Sequence, residues 1–212
     1  MRQFLLRQSL FLPLAAILVP ILLALGVPHH SSLTQHVSEL QLLDHPIADL
    51  MRVAPLVCGT SILLFGVGAW LTDPSRFTFT ALTAAAGAAN FISAGIFASG
   101  SPLHGLYGIA FFIPLVPACF AAESGLGRRV LRVSLFVAVM SMAYLLLNVY
   151  GADPVRGLTQ RFALVVILGW YSYASYQLLR ASGRAGGAAA RDGSGAGASP
   201  QLVPPTQDSA AW

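Results

Sequence analysis

Four of the chain's five histidines, His29, His30, His36 and His45, crowd into one polar stretch, PHHSSLTQHVSELQLLDHPIADL, that also carries Glu39, Asp44 and Asp49. The fifth, His104, lies in a later segment, SPLHGLYGIAFFIP. Imidazole ligates zinc and moves protons near neutral pH, and a carboxylate can ligate, orient a ring or accept a proton. One chemistry open to these residues is a zinc centre with His36, His45 and His104 as ligands and Glu39 as proton acceptor. Asp49 or Asp153 would then orient a ring, and the product would be a hydrolase acting on a lipid or another membrane-adjacent substrate. The spacing does not demand it. His36 and Glu39 are three apart and share a helical face, but there is no HExxH and no repeated metal pair. The plainer chemistry is a polar lining at headgroup level, which needs no cofactor.

Two amides extend the polar set. Asn90 lies near the centre of TALTAAAGAANFISAGIF, and Asn148 near the end of a later apolar run. An unpaired amide in hydrocarbon is costly, so Asn90 should face another helix, a backbone carbonyl or a ligand. Asn148 can join it in a polar outer vestibule. Much chemistry is missing: no GxSxG, no phosphate-binding glycine loop, no CxxCH, no histidine at a helix midpoint to hold haem. Pro114 and Pro117 in FFIPLVPACF should bend their segment or open a carbonyl-lined notch. Transporters use such breaks, which keeps small-solute transport as a further alternative.

The elements that must position these residues are transmembrane. Hydrophobic residues make up 56% of the 212 and charged residues 9%, too few to clothe a soluble globule. Apolar runs cover about 9–27, 50–71, 77–99, 103–122, 133–150 and 162–179, each near the ~20 residues that cross ~30 Å of hydrocarbon as a helix. The predicted fold is all-α, a six-transmembrane-helix bundle. Arg2 and Arg7 ahead of the first run raise a cleavable signal, but its length, Pro13 and Pro20 favour a retained helix. In the loop, Leu33, Val37, Leu40 and Leu43 recur at helical spacing against polar Gln35, Glu39 and Gln41. They predict a short amphipathic outer helix, interfacial or partly re-entrant, capped by Ser31 or Ser32, beneath the headgroups. Small pairs such as Ala84/Ala88 put the third run in mid-bundle, and the same surface would permit a homo-oligomer. Tyr150, Trp170, Tyr171, Tyr173 and Tyr176 fit an interfacial belt, with Trp170 deeper. Cys58 and Cys119 fit as small packing residues.

Charge orients the bundle. Nine arginines (2, 7, 76, 128, 129, 132, 180, 184 and 191) fall on one side, against Arg52, Arg156 and Arg161 on the other. By the positive-inside rule both termini are cytoplasmic, in a bacterial inner membrane, and the histidine loop faces out. The basic excess is thus topological; no basic patch interleaved with aromatics marks a nucleic-acid site. Residues 1–180 form the membrane domain, and 181–212, rich in Gly, Ala, Ser and Pro, read as a disordered cytoplasmic tail.

The order HVSELQLLDHPIADLMR, Asn90, SPLHGLYGIAFFIP, ESGLGRR and DPVRGLTQR resembles the DUF998 family of bacterial and archaeal membrane proteins over about residues 5–180. The resemblance implies that Ser38-Glu39-Leu40, Asn90, His104, Gly157, Gln160 and Arg161 are the family-like positions. It adds Ser38, Gln160 and Arg161 to the vestibule. The family also looks distantly similar to the Frag1/DRAM/Sfk1 group, which implies lipid organisation and membrane lipids as partners. LQLLDHPI departs from the family's usual wording, where a glycine and a simpler turn would be expected. Lipid binding or membrane organisation is therefore the leading expectation, and the metal-dependent hydrolase and the transporter are the alternatives.

Overall fold

Pro13 breaks the first crossing. Lacking an N–H, its ring clashes with the carbonyl four residues back, at Ser9. In the computed structural model, the backbone of residues 1–150 and 154–195 is described, with side chains through 184 apart from residue 107. There α1 (Arg2–Gln8) stops at Ser9, and α2 (Leu12–Leu23) continues into a 3-10 turn, Ala24–Gly26. Arg2–Gly26 is one of five described segments long and apolar enough to cross a membrane. The others are α3 (Ile47–Trp70), α4 (Thr78–Ile96), α6 (Arg128–Tyr150) and the stretch Arg156–Arg184 of α7 (Arg156–Gly195).

The predicted crossing over 103–122 takes a different form. Its helix, α5 (Phe112–Ser124), has 13 residues, about 20 Å at 1.5 Å per residue against ~30 Å of hydrocarbon. The segment before it is a kinked 3-10 stretch, His104–Ile109, broken at Gly105 (φ 69°) and Leu106 (φ 38°). The break therefore precedes the prolines: Pro114 falls in the first turn of α5, and only Pro117 lies inside it. Irregular backbone at bilayer depth is tolerated where it is buried in protein or lines a cavity. Over its described residues the chain is thus an all-helical multi-span membrane protein, with five long apolar helical segments and one short apolar helix.

Packing follows from small residues. A Cβ on Gly59 would lie 2.7 Å from the Ala88 carbonyl, so α3 and α4 touch closely only because this position has no side chain. Ala84 and Ala88 are buried in that contact, which spends this small-residue face within the chain. α1 docks beside α3 with Leu6 fully buried, Gln8 Nε2 donating to Ser61 O at 3.1 Å and Ser61 Oγ donating to Gln8 Oε1. The sequence reading passed over this polar anchor.

One half of the core is aromatic. Phe65 meets Tyr171 edge-on at 5.2 Å and Trp170 at 5.9 Å, and Phe120 bridges Trp170 and Phe77. Trp170 Nε1 donates to Ser134 Oγ at 2.9 Å, so its polar edge is satisfied indoors. Tyr171, expected in the interfacial belt, is 1% exposed and belongs to this core, because Phe65 gives its ring a better partner than the interface would. At the same end Glu123 caps α4, taking the Phe79 and Thr80 N–H groups at 2.8 Å each and the Thr80 hydroxyl at 2.6 Å. A carboxylate there also meets the positive end of the helix dipole.

Two units divide the chain, Met1–Leu179 and Arg180–Trp212. Within the second, residues through Gly195 are helical, where an unstructured tail was expected from 181; the remainder of that expectation, 196–212, lies outside the described residues.

Candidate functional site

The loop joining α2 to α3 carries backbone groups that need partners, since loop carbonyls near lipid cannot rely on water. The start of α7 supplies them. Arg161, 7% exposed, donates from Nη1 to the carbonyls of Ser32 (2.8 Å), Gln35 (2.9 Å) and Gly157 (2.9 Å). Its Nη2 lies 3.0 Å from His30 Nε2, which must accept because a guanidinium only donates. Burial and the Arg161 charge push the His30 imidazole below its ordinary value, against a smaller opposite pull from Glu39. Arg156 donates to the Thr34 carbonyl at 2.9 Å and pairs with Glu39 at 3.1 Å, and Gln160 Oε1 takes the Val37 N–H at 2.6 Å. Gly157 makes the approach feasible: a Cβ there would meet the carbonyls of Gln35 and Ser32, the latter at 2.8 Å.

Clamped this way, the loop folds inward. Its helical part is a 3-10 segment, Val37–Leu42, with Val37, Leu40 and Gln41 buried. The short helix expected in this loop takes the 3-10 form, and Gln41, expected on its polar face, is buried. A period of three stacks Val37 over Leu40 and turns both into the bundle. Gln41 follows and is satisfied there, donating to Met51 O (3.0 Å) and Ala94 O (2.8 Å) and accepting from Ser99 N–H (3.1 Å). The cap is also displaced. Glu39 Oε1 takes the His36 N–H at 3.2 Å, while Ser31 closes an upstream turn with Gln35 and Thr34.

Beneath this loop lies a cavity of about 170 Å³, bounded by the 3-10 segment, α3, α4, the kinked His104 segment, α6 and α7. Of the residues singled out from the sequence, His36, Ser38, Asn90, His104, Asn148 and Gln160 line it; Glu39, His45 and Arg161 do not. Ile17, Met51, Pro55, Phe91, Ile113, Leu145, Leu164 and Ile167 supply apolar walls. His104, 6% exposed, points Nδ1 at the Phe97 carbonyl (2.8 Å); that nitrogen carries the proton in this contact, leaving Nε2 as acceptor in the neutral ring. Among the described residues, the Asn90 side-chain amide has no hydrogen-bond partner although it sits within α4 and lines the cavity.

The zinc set is not assembled. Among the described residues no three His, Cys, Asp or Glu side chains group to hold a metal ion. His45 is exposed and spends Nδ1 on the Ile47 N–H at 3.2 Å, capping α3. Glu39 holds Arg156 and the loop backbone. Asp153 lies outside the described residues. Gln41, Ser141 and Tyr144 also line the cavity, and the sequence reading did not assign them to it. A signal existed: Ser141, Tyr144 and Asn148, at spacings of three and four, make one polar stripe on α6.

A family model described as protein of unknown function (DUF998) matches residues 12–176. No curated protein and no solved structure matches.

Proposed function

The chain belongs to the DUF998 family of multi-pass membrane proteins, and from that premise and its own geometry we propose that it binds membrane lipid without catalysing a reaction. The observation that carries this reading is the unpartnered Asn90 amide in a cavity with apolar walls. A lost partner costs a buried group about 1–3 kcal/mol, and the half-buried Asn90 amide offers water or a ligand in the cavity a hydrogen bond. A site of this size compares with an engineered cavity of about 150 Å³ that takes an aromatic ring, enough for the polar portion of a lipid and the start of a chain. The aromatic cluster in the other half of the core favours retention over conduction. In this reading the membrane is a bacterial inner membrane, both termini are cytoplasmic and the cavity opens toward the outer leaflet, following the arginine distribution.

The experiment is reconstitution with defined neutral and anionic lipids followed by native mass spectrometry. A selectively retained lipid that Asn90→Leu releases supports the reading; no selective retention across the panel overturns it.

A further inference from the structure

Among the described residues the cavity lining contains no arginine, lysine, aspartate or glutamate, and its ionisable side chains are His36, His104 and Tyr144. Arg161 is spent on two loop carbonyls, the Gly157 carbonyl of α7 and His30, and Arg156 is paired with Glu39. A phosphate brought here would lose its water and find, among the described residues, the imidazoles of His36 and His104 but no guanidinium or ammonium to replace it, a large cost. Hydroxyl and ester groups would meet amides and hydroxyls of matching strength.

A second hollow, of about 80 Å³, runs along the seam between α6 and α7. Ser141, Tyr144 and Ile167 line both hollows, so these three side chains stand where the two adjoin. Its far rim carries Leu147 (52% exposed) and Phe162 (57% exposed), apolar side chains on the outward surface of a bundle that sits in lipid. A cavity with polar groups adjoins an apolar slot with an exposed apolar rim, and an amphiphile with one head and one chain could use both once the shared side chains between them rotate.

Resting on the lipid-binding reading above, we infer that the occupant is a lipid with an uncharged hydroxyl- or ester-bearing head, of the acylglycerol class, whose chain leaves between α6 and α7. Acyl chains gain little in moving from bilayer to an apolar slot. Selectivity therefore resides in the head, and the slot decides only whether a long chain can be accommodated.

The test uses the full chain in phosphatidylcholine vesicles, with a photoreactive monoacylglycerol carrying a mid-chain diazirine, and a short-chain glycerol ester whose binding is read by saturation-transfer resonance. Crosslinks should map to the α6–α7 seam. Unlabelled monoacylglycerol should compete at least about tenfold better than phosphatidylglycerol, because only the latter must bury an unpaired charge. Ala143→Trp, which fills the slot from an exposed position, should lower capture at least about tenfold while leaving the short-chain ester bound. Leu147→Trp repeats the measurement from the rim should the first variant not assemble. Equal competition by phosphatidylglycerol overturns the uncharged head, and undiminished capture in the variants overturns the path. If wild-type protein binds neither probe, the lipid-binding reading itself falls, an outcome distinct from the other two.

Discussion

Arg161 holds a guanidinium at the end of a membrane helix with its charge turned into protein. Truncation in Arg161→Ala strands the loop carbonyls of Ser32 and Gln35 at once. We expect a loss of about 2–4 kcal/mol, seen as a lower unfolding midpoint in detergent and faster cleavage of the 27–46 loop. Arg161→Lys should recover less than half of it, since a single ammonium cannot reproduce the fork. His30 makes the same contact pH-dependent. Its folded value lies below the ordinary 6.5, so on acidification the unfolded chain takes up the proton first. The contribution is complete above about pH 6.5 and is lost as pH falls through the lowered folded value. A protonated ring would also face Arg161 as a like charge. His30→Gln should flatten the pH dependence of the unfolding midpoint between pH 7 and 5; an unchanged slope assigns it elsewhere. Asn90→Leu should behave oppositely to Arg161→Ala, abolishing lipid retention while shifting stability by less than about 1 kcal/mol, because no protein bond is removed.

Helix ends and breaks are where sequence and structure part. Long apolar runs made the five long crossings legible, because lipid leaves the backbone no alternative to helix. The short one was not legible: Pro114 and Pro117 are conspicuous, yet the chain kinks at Gly105 and Leu106, whose positive φ only three dimensions reveal. Six residues chosen from the sequence line one cavity because polar side chains inside apolar helices have few places to go. Gln41 escaped because its alternation fits a solvated face equally well, and only the clamp from α7 turns it inward. That clamp depends on a bare backbone, so Gly157→Ala should cost about 1–3 kcal/mol by forcing the loop off the helix. At the other end, Glu123→Gln keeps the shape but loses the charge and one acceptor geometry at the start of α4. An expected cost of about 1 kcal/mol is measurable by thermal unfolding, and Glu123→Ala should cost more.

For the molecule as a whole, orientation is the prediction with the cleanest readout. With the termini in the cytoplasm, Ser31→Cys should react with an impermeant thiol reagent on intact spheroplasts, and Ser75→Cys, in the exposed turn before α4, only after permeabilisation. The reverse labelling would invert the topology. An intact mass that retains residues 1–27 would place α1 and α2 in the mature bundle, as the Gln8–Ser61 anchor requires. The Arg156 contact with Thr34 joins positions 122 apart, and that separation is also an interval of time. At a synthesis rate of about 5–20 residues per second, the histidine loop is made roughly 6–24 s before the helix that clamps it. During that interval its carbonyls must be hydrated or shielded by the insertion machinery. The protein therefore closes its cavity last, after its final crossing is threaded. A chain truncated before residue 156 and released from the ribosome should leave the first loop open and protease-sensitive.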